Sequence, residues 1–154
     1  MILVDTCVLL DIFTSDPKWL GWSKENLQAN AAQGLGISDI VFAELAAAFG
    51  TPEAEILTLE KMRISILRPS PKALFEAGTA FLRYKRNKGT AKLILPDFFI
   101  GAHAQADGLV LLTRGSDRYR TYFPSAQLIC DGYLFSRCSL PKPPSSRRWR
   151  AGSP

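Results

Sequence analysis

Five apolar runs of three to five residues punctuate the chain: ILV at 2–4, LGI at 35–37, ISIL at 64–67, LVLLT at 109–113 and QLIC at 127–130. They are near-continuous in apolar character rather than alternating, which is the pattern of strands buried on both faces. Helical stretches separate most of them, and parallel neighbours need such crossovers. The predicted fold is therefore α/β, a three-layer α/β/α sandwich with a central parallel sheet of four or five strands.

The intervals carry their own start and stop signals. Residues 19–33 read as a helix stopped by Gly34 and Gly36, and Ser38 caps DIVFAELAAAF. Thr51-Pro52-Glu53 opens a helix that ends near Met62, and Ser70-Pro71 opens another that runs to about Lys88. A helix from Asp97 to Ala106 is closed by Gly108, with Asp97 in the position to cap it.

At 154 residues the chain suits one domain, expected over 1–136, followed by a tail at 137–154. The net charge of +5 belongs to that tail. Residues 1–136 hold 14 basic and 14 acidic side chains, whereas 137–154 hold Arg137, Lys142, Arg147, Arg148 and Arg150 with no acid. Rich in Pro, Ser and Arg, the tail reads as disordered, either as a solvated extension or as an electrostatic hold on a polyanion, with Trp149 able to stack on a base. A second basic group, Arg83, Lys85, Arg86, Lys88 and Lys92, is a solvated helix end or a contact for a phosphate backbone. Cys7, Cys130 and Cys138 are odd in number and form no CxxC pair, which argues against a disulfide framework and for a reducing, cytoplasmic setting. The N-terminal stretch MILVDTCVLLD, with no Lys or Arg before its apolar residues, is not expected to be a signal peptide, and no apolar run reaches membrane-spanning length, so a soluble protein is expected.

In open parallel sheets ligands bind beyond the carboxyl ends of the strands. Asp5 ends the first strand, Glu44 lies about two turns beyond the second, Asp97 opens the helix leading into the fourth, and Asp117 follows that strand. Each has an ordinary alternative as a cap, a solvated helix residue or a turn acid. Glu44 is the sole charged residue in 40–49, so partial burial with a partner is expected. No Lys or Arg adjoins Asp5, Glu44 or Asp97 in sequence, and converging carboxylates repel one another unless a cation joins them. Oxygen ligands without His or Cys suit Mg2+ or Mn2+, and the chemistry such an ion supports is phosphodiester hydrolysis.

In order, VDTCVLLD, ISDIVFAELAAAF, LPDFFIGAHA and LLTRGSDRYRTYFP resemble the four blocks of the PIN domain, in particular VapC-type toxins of bacterial toxin–antitoxin pairs, over roughly residues 1–130. The resemblance implies a Mg2+- or Mn2+-dependent endoribonuclease. It also implies a homodimer held inactive by a cognate VapB-like antitoxin, which enters the acidic groove and alone brings in operator DNA. By block, it implies Asp5 as metal ligand with the Thr6 hydroxyl beside it, Glu44 as the second acid, and Asp97 as the third. The fourth block departs from the pattern: Gly115 stands where an acid is usual two residues after Thr113, and Asp117 takes the second acidic position. Cys7 stands where asparagine is common.

The expected catalytic set is thus Asp5, Glu44, Asp97 and Asp117, with Asp5, Asp97 and Asp117 on the metal and Thr6 and Thr113 ordering the site. Arg114 and Arg118 grip RNA or pair with nearby carboxylates. His103, within an apolar helix, reads as structural, and Asp11 as a solvated or capping residue. Trp19, Trp22, Phe49 and the apolar face of the helix from Pro71 are core, or a surface for a dimer or antitoxin. Two other functions stay open: a PIN nuclease of RNA processing, and a catalytically weak PIN domain that binds without cutting.

Overall fold

The computed structural model describes residues 1–87 and 89–131; the expectations for the basic tail, for Cys138 and for Lys88 lie outside them. Strand β1 (Ile2–Val4) passes through one residue, Asp5, into helix α1 (Thr6–Phe13). Helix α2 (Leu20–Asn30) ends in a short 3-10 turn, and Gly34, at φ +79°, releases the chain into β2 (Leu35–Ser38). Helix α3 (Asp39–Leu45), α4 (Pro52–Lys61), β3 (Ile64–Leu67), α5 (Pro71–Arg86) and α6 (Pro96–Ala106) follow. The described chain closes with β4 (Val110–Leu112), α7 (Asp117–Tyr122) and β5 (Gln127–Ile129).

The five strands form one parallel sheet in the order β3-β2-β1-β4-β5, the central layer of an α/β/α sandwich. The central strand β1 is fully buried, whereas edge strand β3 leaves Ser65 and Ile66 exposed. Three helix starts use the expected hydroxyls: Ser38 accepts from the Val41 N–H, Thr51 from that of Ala54 and Ser70 from that of Ala73. Each such cap stabilises its helix by about 1 kcal/mol.

Asp97 does not cap α6. Pro96 takes the first helical position, which makes Leu95 the cap residue and leaves Asp97 inside the first turn, with its charge still favoured by the helix dipole. The fourth strand stops at Leu112 because at Thr113 the chain turns, its hydroxyl accepting the Gly115 N–H, and the fifth stops at Ile129, one residue short of the expected end. Helix α7 was not foreseen. Its aromatic side chains Tyr119 and Tyr122, with Phe123 just past its end, follow helical spacing and pack on α6, where Phe98 lies 5.2 Å from the Tyr122 ring and 6.2 Å from that of Phe123. Phe98 and Phe123 are among the largest fully buried side chains, and each contributes about 1.5–3 kcal/mol by leaving water. Among the described residues no helix is long and apolar enough to cross a membrane.

Candidate active site

The strand order reverses between β1 and β4: the chain proceeds from β1 outward to β2 and β3, then returns to the other side of β1. That switch point opens a crevice at the carboxyl ends of both strands, where Asp5 and Thr113 emerge side by side. The Asp5 N–H bonds Leu112 O at 2.9 Å, which ties the two strand ends together.

Asp5 is 5% exposed and sits at the cap position of α1 without making a side-chain cap bond. Its Oδ2 is engaged elsewhere, accepting from Thr113 Oγ1 at 2.6 Å, Tyr119 Oη at 3.1 Å and Cys7 Sγ at 3.5 Å. Burial pushes the Asp5 carboxyl above its ordinary range, and these hydrogen bonds pull it only part of the way back. Glu44 projects from α3 into the same crevice, half-buried, and accepts from Thr6 Oγ1 at 2.5 Å. Burial raises its proton affinity as well, the Thr6 bond opposes that, and the nearby charge of Asp5 raises it further. Asp5 and Glu44 therefore converge, with Thr6 and Thr113 ordering one carboxylate each.

The other two predicted acids stand differently. Asp97 is ion-paired with Arg118, which reaches it from α7. Asp117, the first residue of α7, is exposed. Among the described residues no three His, Cys, Asp or Glu side chains are grouped closely enough to hold a metal ion, so the structure does not assemble Asp5, Asp97 and Asp117 into one cluster. The donor chemistry at the core still fits a hard divalent cation in part. A buried carboxylate, Asp5, and a half-buried one, Glu44, carry raised proton affinities that a cation would relieve, and their ligand atoms are all oxygen.

Both arginines pair with carboxylates, the second of their two expected roles. Arg114 lies 3.2 Å from Asp11 Oδ1 with its guanidinium over the Trp19 ring, 5.3 Å from the centroid. Asp11 is neither solvated nor a cap: it is 2% exposed and also accepts from Ser23 Oγ at 2.7 Å. The pair pins α1 and α2 to the loop after β4. His103 is 2% exposed, 3.5 Å from Asp107, and burial lowers its proton affinity, as befits a structural histidine. Trp22 and Phe49 pack on the core. In the basic group, Arg83 donates to Tyr122 O and Lys85 to the carbonyls of Gly89 and Ala91, so both fasten chain rather than stand free.

Tyr119 is the site residue that sequence reasoning missed. The available signal was the spacing of Tyr119, Tyr122 and Phe123 at i, i+3 and i+4, which marks a short helix with one buried face.

A doubly wound parallel domain with paired carboxylates at its switch point defines the class of protein. The chain belongs to the PIN domain family, whose family model matches residues 2–124. Solved structures share the fold. The VapBC2 complex of Rickettsia felis, bound to a promoter DNA fragment, aligns with a TM-score of 0.64 at 23% identity, covering 84% of this chain and 98% of that one. DNA-bound VapBC of Salmonella typhimurium aligns at 0.63 and 20% identity over 84% and 96%. A toxin–antitoxin complex from Klebsiella pneumoniae aligns at 0.60 and 25% identity over 84% and 96%. A search of curated proteins finds no match.

Proposed function

We propose that the chain is a VapC-type toxin, an endoribonuclease that hydrolyses RNA phosphodiester bonds and is restrained by a VapB-like antitoxin. The observation that carries this reading is the convergence at the switch point of Asp5, buried, and Glu44, half-buried, with the charge of Asp5 raising the proton affinity of Glu44. Membership of the PIN family and the toxin–antitoxin complexes among the structural neighbours support it.

Asp5 would hold a Mg2+ or Mn2+ ion, with Asp97 and Asp117, which the structure does not group with it, as the further ligands that the resemblance implies; when bound, the ion would supply an acidified water and charge neutralisation at the phosphate. Thr113 and Thr6 fix the Asp5 and Glu44 carboxylates. Asp97 is paired with Arg118, so it would reach the ion only with that pair broken, which would free the guanidinium for a phosphate. Asp117, exposed at the start of α7, serves from the rim, through water. Arg114, committed to Asp11, contributes to the fold of the rim rather than to RNA. The basic segment 137–154 adds non-specific attraction for the polyanion.

The test is cleavage of a mixed RNA substrate by the purified protein with Mg2+, with Mn2+ and with chelator, beside Asp5→Asn and Gly115→Asp. Metal-dependent cutting that Asp5→Asn abolishes is the expected result, and cutting unaffected by Asp5→Asn refutes the site. A second reading has its own observation: Gly115 offers no carboxylate and Arg118 occupies Asp97, as suits a domain that binds an antitoxin without cutting. Cleavage by Gly115→Asp alone would establish that reading.

A further inference from the structure

We infer that Tyr119 is a positioning residue for Asp5, a role that rests on Asp5 being a metal ligand as proposed above. The stretch after β4 carries Gly115 where the family pattern has an acid, so at that position it brings no carboxylate to the crevice. What it does bring is a phenol. Tyr119 is 3% exposed, and its Oη donates to Asp5 Oδ2 at 3.1 Å.

Three side chains from three elements meet on that one oxygen: Thr113 from the end of β4, Cys7 from α1 and Tyr119 from α7. A carboxylate bonded through one oxygen from several sides loses its freedom to rotate. Its other oxygen, Oδ1, is thereby held at a fixed angle to the crevice. Hydrogen bonds from residues that do not touch a metal orient the ligands that do, and their loss characteristically weakens metal binding by about ten- to a hundredfold.

The placement of the phenol is itself built into α6. A Cβ on Gly101 would lie 2.3 Å from Phe123 Cδ2 and 2.9 Å from Tyr119 Cδ1, so α7 rests on bare backbone at that point. Any larger residue at 101 lifts α7 and draws the phenol away from Asp5. Gly101 and Tyr119 thus act in series, one setting the depth of α7 and the other converting that depth into a hydrogen bond.

The experiment measures Mn2+ affinity of the full chain by calorimetry for wild type, Tyr119→Phe, Gly101→Ala, the double variant and Asp5→Asn, with thermal melts of each. Tyr119→Phe keeps the ring and its packing and removes only the donor. The expected result is a Mn2+ affinity about tenfold weaker with little change in melting temperature. Gly101→Ala weakens binding in the same direction, and the double variant loses no more than the worse of the two singles. RNA cleavage should show a lower kcat at unchanged KM for Tyr119→Phe. Wild-type Mn2+ affinity in Tyr119→Phe, with binding still abolished by Asp5→Asn, overturns the positioning role and leaves the metal site standing. Mn2+ affinity unchanged in Asp5→Asn overturns both.

Discussion

Asp5 is a buried carboxylate whose proton affinity burial raises, and Glu44 adds a second negative charge. An acid whose folded pKa lies above its unfolded one binds more protons in the folded state, so stability falls as pH rises from the unfolded value through the folded one. Asp5→Asn removes that penalty. In chelator, the variant should gain melting temperature over wild type as pH is raised from the acid range to neutrality. Saturating Mn2+ should reverse the order, since ligand at about a hundred times Kd stabilises wild type by about 2.7 kcal/mol and Asp5→Asn hardly at all. Equal melting profiles of the two proteins in chelator would show that Asp5 titrates normally. Asp5 and Glu44 were legible because a strand end and an isolated acid in an apolar helix are local signals, whereas Thr6 and Thr113 entered only through the resemblance to the PIN blocks. The partners of Asp97 and Asp11 were not, since Arg118 and Arg114 reach them across the fold.

At the scale of elements, every helix announced by a hydroxyl-proline or serine start began where expected, because caps act within one turn, though the one after Ser38 ends at Leu45, short of the expected Phe49. Helix α7 escaped notice for the opposite reason. Six residues of polar and aromatic character have little helical preference of their own, and packing of Tyr119 and Phe123 against α6 holds them. The loop before it is fastened by Arg114, whose side chain is 17% exposed and faces an Asp11 that is 2% exposed. Removing one partner of a nearly buried pair leaves the other charge stranded, so Arg114→Ala should cost about 3 kcal/mol in a denaturant titration. RNA affinity of the folded protein should stay near that of wild type. A cost under about 0.5 kcal/mol together with weakened RNA binding would return Arg114 to the substrate side of the crevice.

For the whole molecule, the parallel sheet followed from apolar runs that alternate with helices, yet those runs say nothing about which outer faces stay uncovered. Helix α5 answers that. Its small residues Ala73, Ala77 and Ala80 lie against the body, while Leu74, Phe75 and Leu82 point outward, Phe75 with 78% of its surface exposed. An apolar cleft of about 300 Å³, lined by Ile40, Pro69, Pro71, Leu74 and Phe99 among others, adjoins this face. A stripe of large apolar side chains on one long helix is what an isologous contact uses, with the same patch facing itself across a twofold axis. The homodimer that the resemblance implies is predicted to bury this face. Because each substitution enters a twofold contact twice, Phe75→Glu places a desolvated carboxylate on both sides of the contact, near its like. Sedimentation should then find wild type at dimer mass and Phe75→Glu at monomer mass, with far-UV circular dichroism unchanged. A variant that remains dimeric would move the interface off α5, and a monomeric wild type would remove the dimer altogether.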